Sequence, residues 1–387
     1  MQELTRLQLQ EVRQALFEQI SLGLASPGQQ VACLPAYLTP PPRDLEGQAL
    51  VVDAGGTNLR CAWVELGPGR QRIVAGPLLS ALPDGRTVAV DAAGFFAHQA
   101  QQLRRLGAPE GLALGYCFSY PAEVEPDGDA RLLNWTKGIQ VTGVVGQRVG
   151  QALRAALGQP GPVKVLNDTV AALLGASLSP KADQFIGLIA GTGTNMAAFL
   201  PRRRITKLGG DPLRDLPPPD VLRGGDPLRD LPPMAVNLES GNFHPPHLTE
   251  VDEELDRCSA VPGQSRYEKA ISGYYLPKLL ALMCPELGID AEASTQVVVE
   301  HAPSHWQARW LLDRSADLVA AGLAAVIDHL PSGCVAIQAE GGLFWKAPGY
   351  ARRVEQQLSD LLGSERTFSI LKTDEVNLFG AAAAALS

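Results

Sequence analysis

The sequence predicts a two-lobed α/β fold, and three observations carry that expectation. At 387 residues the chain exceeds a typical single core, so two domains or one large elaborated fold is the starting point. Two glycine loops, D-A-G-G-T-N at 53–58 and G-T-G-T-N at 191–195, each follow an apolar strand-like run and precede another. Their G-T-N triplets lie 137 residues apart, the weak internal repeat that two similar halves facing one ligand leave behind. The third observation is V-L-N-D-T-V-A-A-L-L at 165–174, where an apolar strand passes into an Ala- and Leu-rich helix.

Taken in order, Leu4, Leu7, Val12, Leu16 and Ile20 recur at near-helical spacing and predict an amphipathic helix that ends by S-P-G at 26–28. Prolines at 40–42 connect it to strands expected over 49–53 and 60–66. Strands at 111–120 and 162–166 and helices at 144–157 and 169–176 follow. The strand at 184–190 enters the second glycine loop, and M-A-A-F-L leaves it as another. G-G-D-P-L-R-D-L-P-P then occurs twice, at 209–218 and 224–233, and seven prolines across the two copies and Pro219 argue against a regular helix or central strand. This reads as a duplicated surface loop, with a partner-binding Pro-rich motif as the alternative. Order returns with a strand at 234–238 and a capping box, T-x-x-D at Thr249 and Asp252. Long helices over 267–283 and 307–329, a strand at 334–339 entering E-G-G, a helix over 350–362, a strand at 367–372 and an alanine-rich closing helix from Gly380 complete the chain.

Composition narrows the partners. A net charge of -8 disfavours nucleic acid and anionic membrane surfaces, which draw on a positive field. The basic triplet at 202–204 reads as a solvated loop. Six cysteines without a C-x-x-C pair read as reduced core thiols of a cytoplasmic protein. No run reaches the roughly 18 apolar residues a membrane span needs, and the first residues form no signal-peptide core, so the chain reads as soluble.

The chemistry concentrates at the loops and the junction. Glycines directly after a strand let backbone N–H groups close on a phosphate, and a strand follows here where a P-loop or Rossmann unit has a helix. That pattern fits a β-hairpin phosphate loop; taken singly, such a loop is more commonly a Gly-rich hairpin turn, and here there are two. Asp168 stands where a helix N-terminus favours negative charge, which suits either a base that takes a proton from a hydroxyl or an ordinary helix cap.

Together these segments resemble the hexokinase family, of the hexokinase and glucokinase type, and with it the two-lobed actin-like ATPase (ribonuclease H-like) fold. The matches run in family order: L-P-A-Y at 34–37, D-A-G-G-T-N-L-R at 53–60, F-S-Y-P at 118–121, L-N-W-T-K-G at 133–138 and L-N-D-T at 166–169. G-T-G-T-N, N-L-E at 237–239 and P-G-Q-S-R-Y-E-K at 262–269 complete them. L-N-W-T-K-G followed by L-N-D-T is the specific part.

The resemblance implies transfer of the γ-phosphate of ATP to the 6-hydroxyl of glucose or a related hexose, with sugar and nucleotide in the interdomain cleft. It implies Asp168 as the base, and sugar contacts from Ser119, Thr136, Lys137, Asn167, Asn195, Glu239 and Glu268. Carboxylates and amides suit that task, because a hexose offers several hydroxyls that each donate and accept. The phosphates fall to Asp53, Gly55, Gly56, Thr57, Asn58 and Arg60 in the first loop and to Gly191, Thr192, Gly193 and Thr194 in the second. Gly341 and Gly342 belong to the nucleotide, and Asp53 faces Mg²⁺ through water. The implied division is a small domain of 47–166 plus 375–387 and a large one of 1–46 plus 167–374 that carries the Pro-rich loop at 209–233. Departures fall at the nucleotide end. The family's D-G-S turn reads E-G-G at 340–342, and its S-G-K-G-A-A reads N-L-F-G-A-A at 377–382. A sugar-sensing protein on the same scaffold is the alternative to an enzyme.

Overall fold

The structure is a computed structural model and describes residues 3–55, 58–136, 138–179, 181–208, 231–290 and 292–387. Gly56, Thr57, Lys137 and residues 209–230 of the duplicated Pro-rich loop lie outside the described residues. The chain divides into two compact units. The first comprises Met1–Cys33, Leu188–Leu231 and Leu238–Lys372, and the second Leu34–Gly187, Pro232–Asn237 and Thr373–Ser387. Residues 34–46 and 167–187, with Asp168 among them, thus fall in the second unit.

The second unit holds β1 (Leu34–Pro35), β2 (Gly47–Gly55), β3 (Asn58–Gly67), β4 (Arg70–Ala81), β5 (Ala113–Phe118), β6 (Ala122–Val124), β7 (Ala130–Leu132) and β8 (Val163–Leu166). Its main sheet runs β4-β3-β2-β5-β8. β2 is antiparallel to β3 and parallel to β5, which is parallel to β8. The central strand reads A-L-V-V-D-A over 49–54 because both its faces are covered, and each of those residues is buried. The closing helix Val376–Leu386 lies on this sheet and against the helix Asp168–Ser177. Small residues allow that approach: a Cβ on Gly380 would stand 1.8 Å from the Ala171 carbonyl oxygen, and one on Gly115 2.0 Å from that of Ala381.

The first unit takes in the end of β9 (Gln184–Ala190) and holds β10 (Thr194–Leu200). β11 (Met234–Asn237) pairs antiparallel with β1 in the second unit. β12 (Val335–Glu340) and β13 (Phe368–Leu371) are parallel, in the order β10-β9-β12-β13. The buried helix Trp306–His329 is the first unit's axis and packs against the helices Arg6–Ala25 and Tyr350–Leu362. Arg314 on that axis donates to both oxygens of Asp252, at 2.5 and 2.8 Å, so the Thr249 capping box is tied to the core.

Several expectations are corrected. The helix expected over 267–283 is two, Arg266–Ile271 and Leu276–Met283, for a reason given with the site. The helix expected from 144 begins at Val149. The helix Ala92–Arg104 was not expected, although Asp91 caps it by accepting from Gly94 N at 2.8 Å and Phe95, Phe96, Ala100 and Leu103 mark its buried face. Of the six cysteines, all free, Cys258 is exposed rather than in a core. Among the described residues no helix is long and apolar enough to cross a membrane.

The closing helix supplies a stability test. Gly380→Val places branched carbons against the backbone of the helix Asp168–Ser177, and neither backbone can yield without uncovering the sheet. Denaturant unfolding should show a loss of about 3 kcal/mol or more. A variant as stable as the parent would mean that the two helices do not pack at this distance.

Candidate active site

The first loop is placed by strand register. β2 and β3 pair so that Asp53 faces Arg60 and Gly55 faces Asn58. Directly opposed residues of an antiparallel pair share a face, so the guanidinium meets the carboxylate. Arg60 Nε donates to Asp53 Oδ2 at 3.0 Å and its Nη2 to the same oxygen, while Nη1 donates to Glu375 Oε2 at 2.8 Å. Burial works against the Arg60 charge, but Asp53 and then Glu375 outweigh it and hold its pKa above the ordinary value. Asp53 is only 6% exposed, so this partner is what allows a carboxylate there.

On its other side Asp53 neighbours Cys117 of β5. Burial, then the charges of Asp53 and Asp168, push the Cys117 thiol well above its usual range. Both carboxylates therefore act on one buried sulfur, from the carboxyl ends of β2 and β8, the edge where open α/β sheets bind ligands. Ser119 joins them: its N–H donates to the Ala54 carbonyl at 3.2 Å, and a Cβ on Gly55 would touch its Oγ at 3.6 Å.

Asp168 is the first residue of the helix Asp168–Ser177, and the cap is Asn167, whose side-chain oxygen accepts from Thr169 N at 2.9 Å. Asp168 Oδ1 accepts from Thr169 N at 2.8 Å and Thr169 Oγ1 at 3.3 Å. The cap position is thus Asn167, which shares the Thr169 amide with Asp168, and Asp168 is half-buried. Thr136 sits in a loop held by its neighbour. Trp135 donates Nε1 to the Val141 carbonyl at 2.8 Å and packs against Phe95, Phe118 and Tyr120.

In the first unit the second loop is folded on itself, with Gly191 N donating to the Gly193 carbonyl at 3.0 Å and Thr194 Oγ1 to that of Ile189 at 3.1 Å. Glu268 Oε2 accepts from Thr194 N at 3.0 Å, and a Cβ on Gly193 would meet that oxygen at 2.9 Å. Two buried neighbours aim Glu268 there: Tyr267 donates to the Leu318 carbonyl at 2.8 Å and Lys269 to Asp256 at 2.6 Å. Asn195 Oδ1 accepts from Ser240 N at 3.2 Å, which places Glu239, in left-handed backbone at φ 56°, beside it. Gly341, at φ 122°, approaches the same loop so closely that a Cβ would stand 2.2 Å from the Ala190 carbonyl oxygen. Gly342 follows it and opens the short helix Gly342–Lys346.

The break in the expected helix belongs to this loop. Pro277 has no N–H to give the Gly273 carbonyl and opens the second helix, so the chain leaves helical geometry before it, and the freed Gly273 N donates to the Gly191 carbonyl at 2.7 Å and Tyr274 N to that of Thr192 at 3.2 Å. Sequence reasoning missed Gly273, Tyr274 and Glu375; S-G-Y-Y inside a helical pattern was the available signal for the first two.

The residues thus gather in two sets. Asp53, Gly55, Asn58, Arg60, Ser119, Thr136, Asn167 and Asp168 stand in the second unit, and 191–195, Glu239, Glu268, Gly341 and Gly342 in the first. A Cβ on Gly273 would lie 2.4 Å from Thr295 Oγ1 and 2.8 Å from the Gly191 carbonyl oxygen. Gly273→Ala should accordingly raise amide exchange at 273 and 274 by about tenfold or more, ~1.4 kcal/mol of protection, while the helix Arg266–Ile271 keeps its rates. Unchanged exchange at both positions would show that the two amides do not hold the loop.

Comparison with known proteins bears on the family and the fold. A family profile described as hexokinase matches residues 1–178, and a second with the same description matches 185–294 and 304–387. Hexokinase-2 of Candida albicans is 28% identical over 411 residues, covering 91% of this chain and 82% of its own. The hexokinase of Schwanniomyces occidentalis is 31% identical, covering 79% and 64%, and mouse hexokinase-3 is 32% identical, covering 74% of this chain and 31% of its own. Among solved structures, the Schistosoma mansoni hexokinase complexed with glucose superposes with a TM-score of 0.81 at 23% identity, over 99% of this chain and 96% of that one. A ROK hexokinase from Thermus thermophilus gives 0.55 at 20% identity, over 88% and 98%. With a matching profile across each half of its sequence and a fold shared from end to end, the chain belongs to the hexokinase family, ATP-dependent phosphotransferases that act on hexoses.

Proposed function

We propose that the protein phosphorylates the 6-hydroxyl of glucose or a closely related hexose, with Asp168 accepting the hydroxyl proton as its oxygen attacks the γ-phosphorus of ATP. The observation that carries this reading is Asp168 itself, a half-buried carboxylate at the carboxyl end of β8, with Asn167 sharing the cap. Phosphoryl transfer asks little covalent chemistry of a protein, so orientation of the nucleophile and neutralisation of charge are the main contributions. Ser119, Thr136, Lys137, Asn167, Asn195, Glu239 and Glu268 are the hydroxyl partners in this reading, and the two glycine loops with Arg60, Gly341 and Gly342 are the phosphate and nucleotide partners.

Asp53 fits a divalent cation held through water. Arg60 occupies its Oδ2, leaving one carboxylate oxygen, and Mg²⁺ prefers a site with few protein ligands and several retained waters. When bound, Mg²⁺ supplies charge neutralisation at the phosphates. Arg60 fixes the Asp53 carboxylate, and Glu375 fixes Arg60. Six free thiols support a reducing cytoplasm as its place, with a part in hexose entry to glycolysis, and the net charge of -8 supports small-molecule partners over nucleic acid or anionic membrane.

Asp168→Asn keeps size and the capping geometry but removes the proton acceptor. Turnover should fall by roughly 10² to 10⁴, with sugar affinity falling far less, both measured on the folded variant. Near-normal turnover would remove Asp168 from the reaction. Donor choice is a second check. Gly342 brings no side chain where the family has a serine, so other nucleoside triphosphates should compete well. Discrimination on the order of a thousandfold for ATP over GTP, about 4 kcal/mol, would reject that expectation.

A further inference from the structure

The second unit has a hollow of about 330 Å³ at the edge of its sheet opposite the reaction residues, lined by Asp127, Asp129, Arg148, Gln151, Arg154 and Lys164 around the turn at 160–163. Arg154 Nη2 donates to the carbonyls of Leu112 and Pro162, at 2.7 and 2.5 Å, immediately ahead of β5 and β8. Ser119 and Asp168 lie just past the other ends of those strands, about 20 Å away for a six-residue strand.

The charges around the hollow do not balance locally. Arg148 pairs with Glu125, Asp127 and Asp129. Asp129 also accepts the amides of Ala130, Gly150 and Gln151. The acids are therefore engaged elsewhere. Arg154 is 7% exposed, pairs with no carboxylate, and its Nε and Nη1 have no hydrogen-bond partner among the described residues. Burial pushes its pKa below the ordinary value, yet a guanidinium keeps its charge throughout the physiological range. Among the described residues Lys164 Nζ donates to the Asp127 carbonyl, at 3.1 Å, and its charge also acts on the Asp127 carboxylate, whose main partner is Arg148. A Cβ on Gly161 would stand 3.3 Å from the Arg154 guanidinium, so glycine there brings the turn down beside it.

We propose that this hollow binds a small phosphate-bearing anion, held by Arg154 and Lys164 and separate from the phosphate loops. An oxyanion supplies the acceptors that the Arg154 fork lacks and the negative charge that its surroundings withhold. The hollow is large enough for phosphate alone or for the phosphoryl end of a sugar phosphate.

The test uses ¹⁵N-labelled full-length protein titrated at constant ionic strength, in one arm with inorganic phosphate and in the other with hexose 6-phosphate. The backbone amides of Gln151, Gly161 and Lys164 should shift along a saturable curve in at least one arm, and the arm that saturates at lower concentration names the source. Lys164→Gln should weaken this binding by about tenfold, ~1.4 kcal/mol, while hexose phosphorylation stays at the parental rate. Arg154→Lys, if folded, should weaken it at least as much; if it does not fold, Lys164→Gln decides alone. Shifts confined to 53–58 and 191–195, shifts that grow linearly without saturation, or binding unchanged in Lys164→Gln would each overturn the proposal, whatever the outcome for Asp168.

Discussion

One guanidinium organises the reaction half of the second unit. Arg60 holds Asp53 with one edge and Glu375 with the other, so it joins the first hairpin to the start of the closing helix. A carboxylate as covered as Asp53 has no standing near the end of an apolar strand without such a partner, and removing one member of a well-buried pair costs about 3–5 kcal/mol. Arg60 is partly exposed, at 30% of its side chain, which lowers that figure here. The geometric role survives the discount: the hairpin register, the Asp53 carboxylate and the helix that seals the sheet all converge on the same five nitrogen-borne protons.

A second constraint is the use of missing side chains. Gly115, Gly175 and Gly380 sit where backbone from another element passes too close for a Cβ, and the alanines after Gly380 continue that surface. In sequence the tail looks like low-information filler. In the fold it lets a helix lie on β2, β5 and β8 and on the helix that starts with Asp168. The altered N-L-F-G segment carries Gly380 where that close approach demands a glycine, and its Leu378 is buried with it.

Much of the architecture was legible because local patterns and tertiary demands agree. The two strand–glycine–strand loops, the strand-to-helix step at 166–168 and the Thr249 capping box are written in short stretches of chain. Other features were not. The stretch 267–283 is helical in composition apart from S-G-Y-Y and Pro277, and the break these make serves the 191–195 loop, which lies some eighty residues away in the chain. The helix Ala92–Arg104 is weakly marked because its buried face includes Gln99 and Gln102, which hide its apolar spacing. Glu375 carries no motif, and its value appears when register puts Arg60 within reach.

The interruption at Gly273 has a consequence for how the first unit meets its ligands. Residues 268–274 supply a carboxylate acceptor for Thr194 N and two amide donors for the carbonyls of Gly191 and Thr192. The second loop is thus clamped by a segment that Tyr267 and Lys269 anchor in the core. Its shape is settled during folding, so the entropy of ordering it would not be charged to the phosphate binding proposed there. Preorganisation of this kind trades adaptability for affinity, so in the proposed reading changes in donor preference should arise at Gly342, where a side chain has room, more readily than at Gly341 or in the loop that Gly341 packs against.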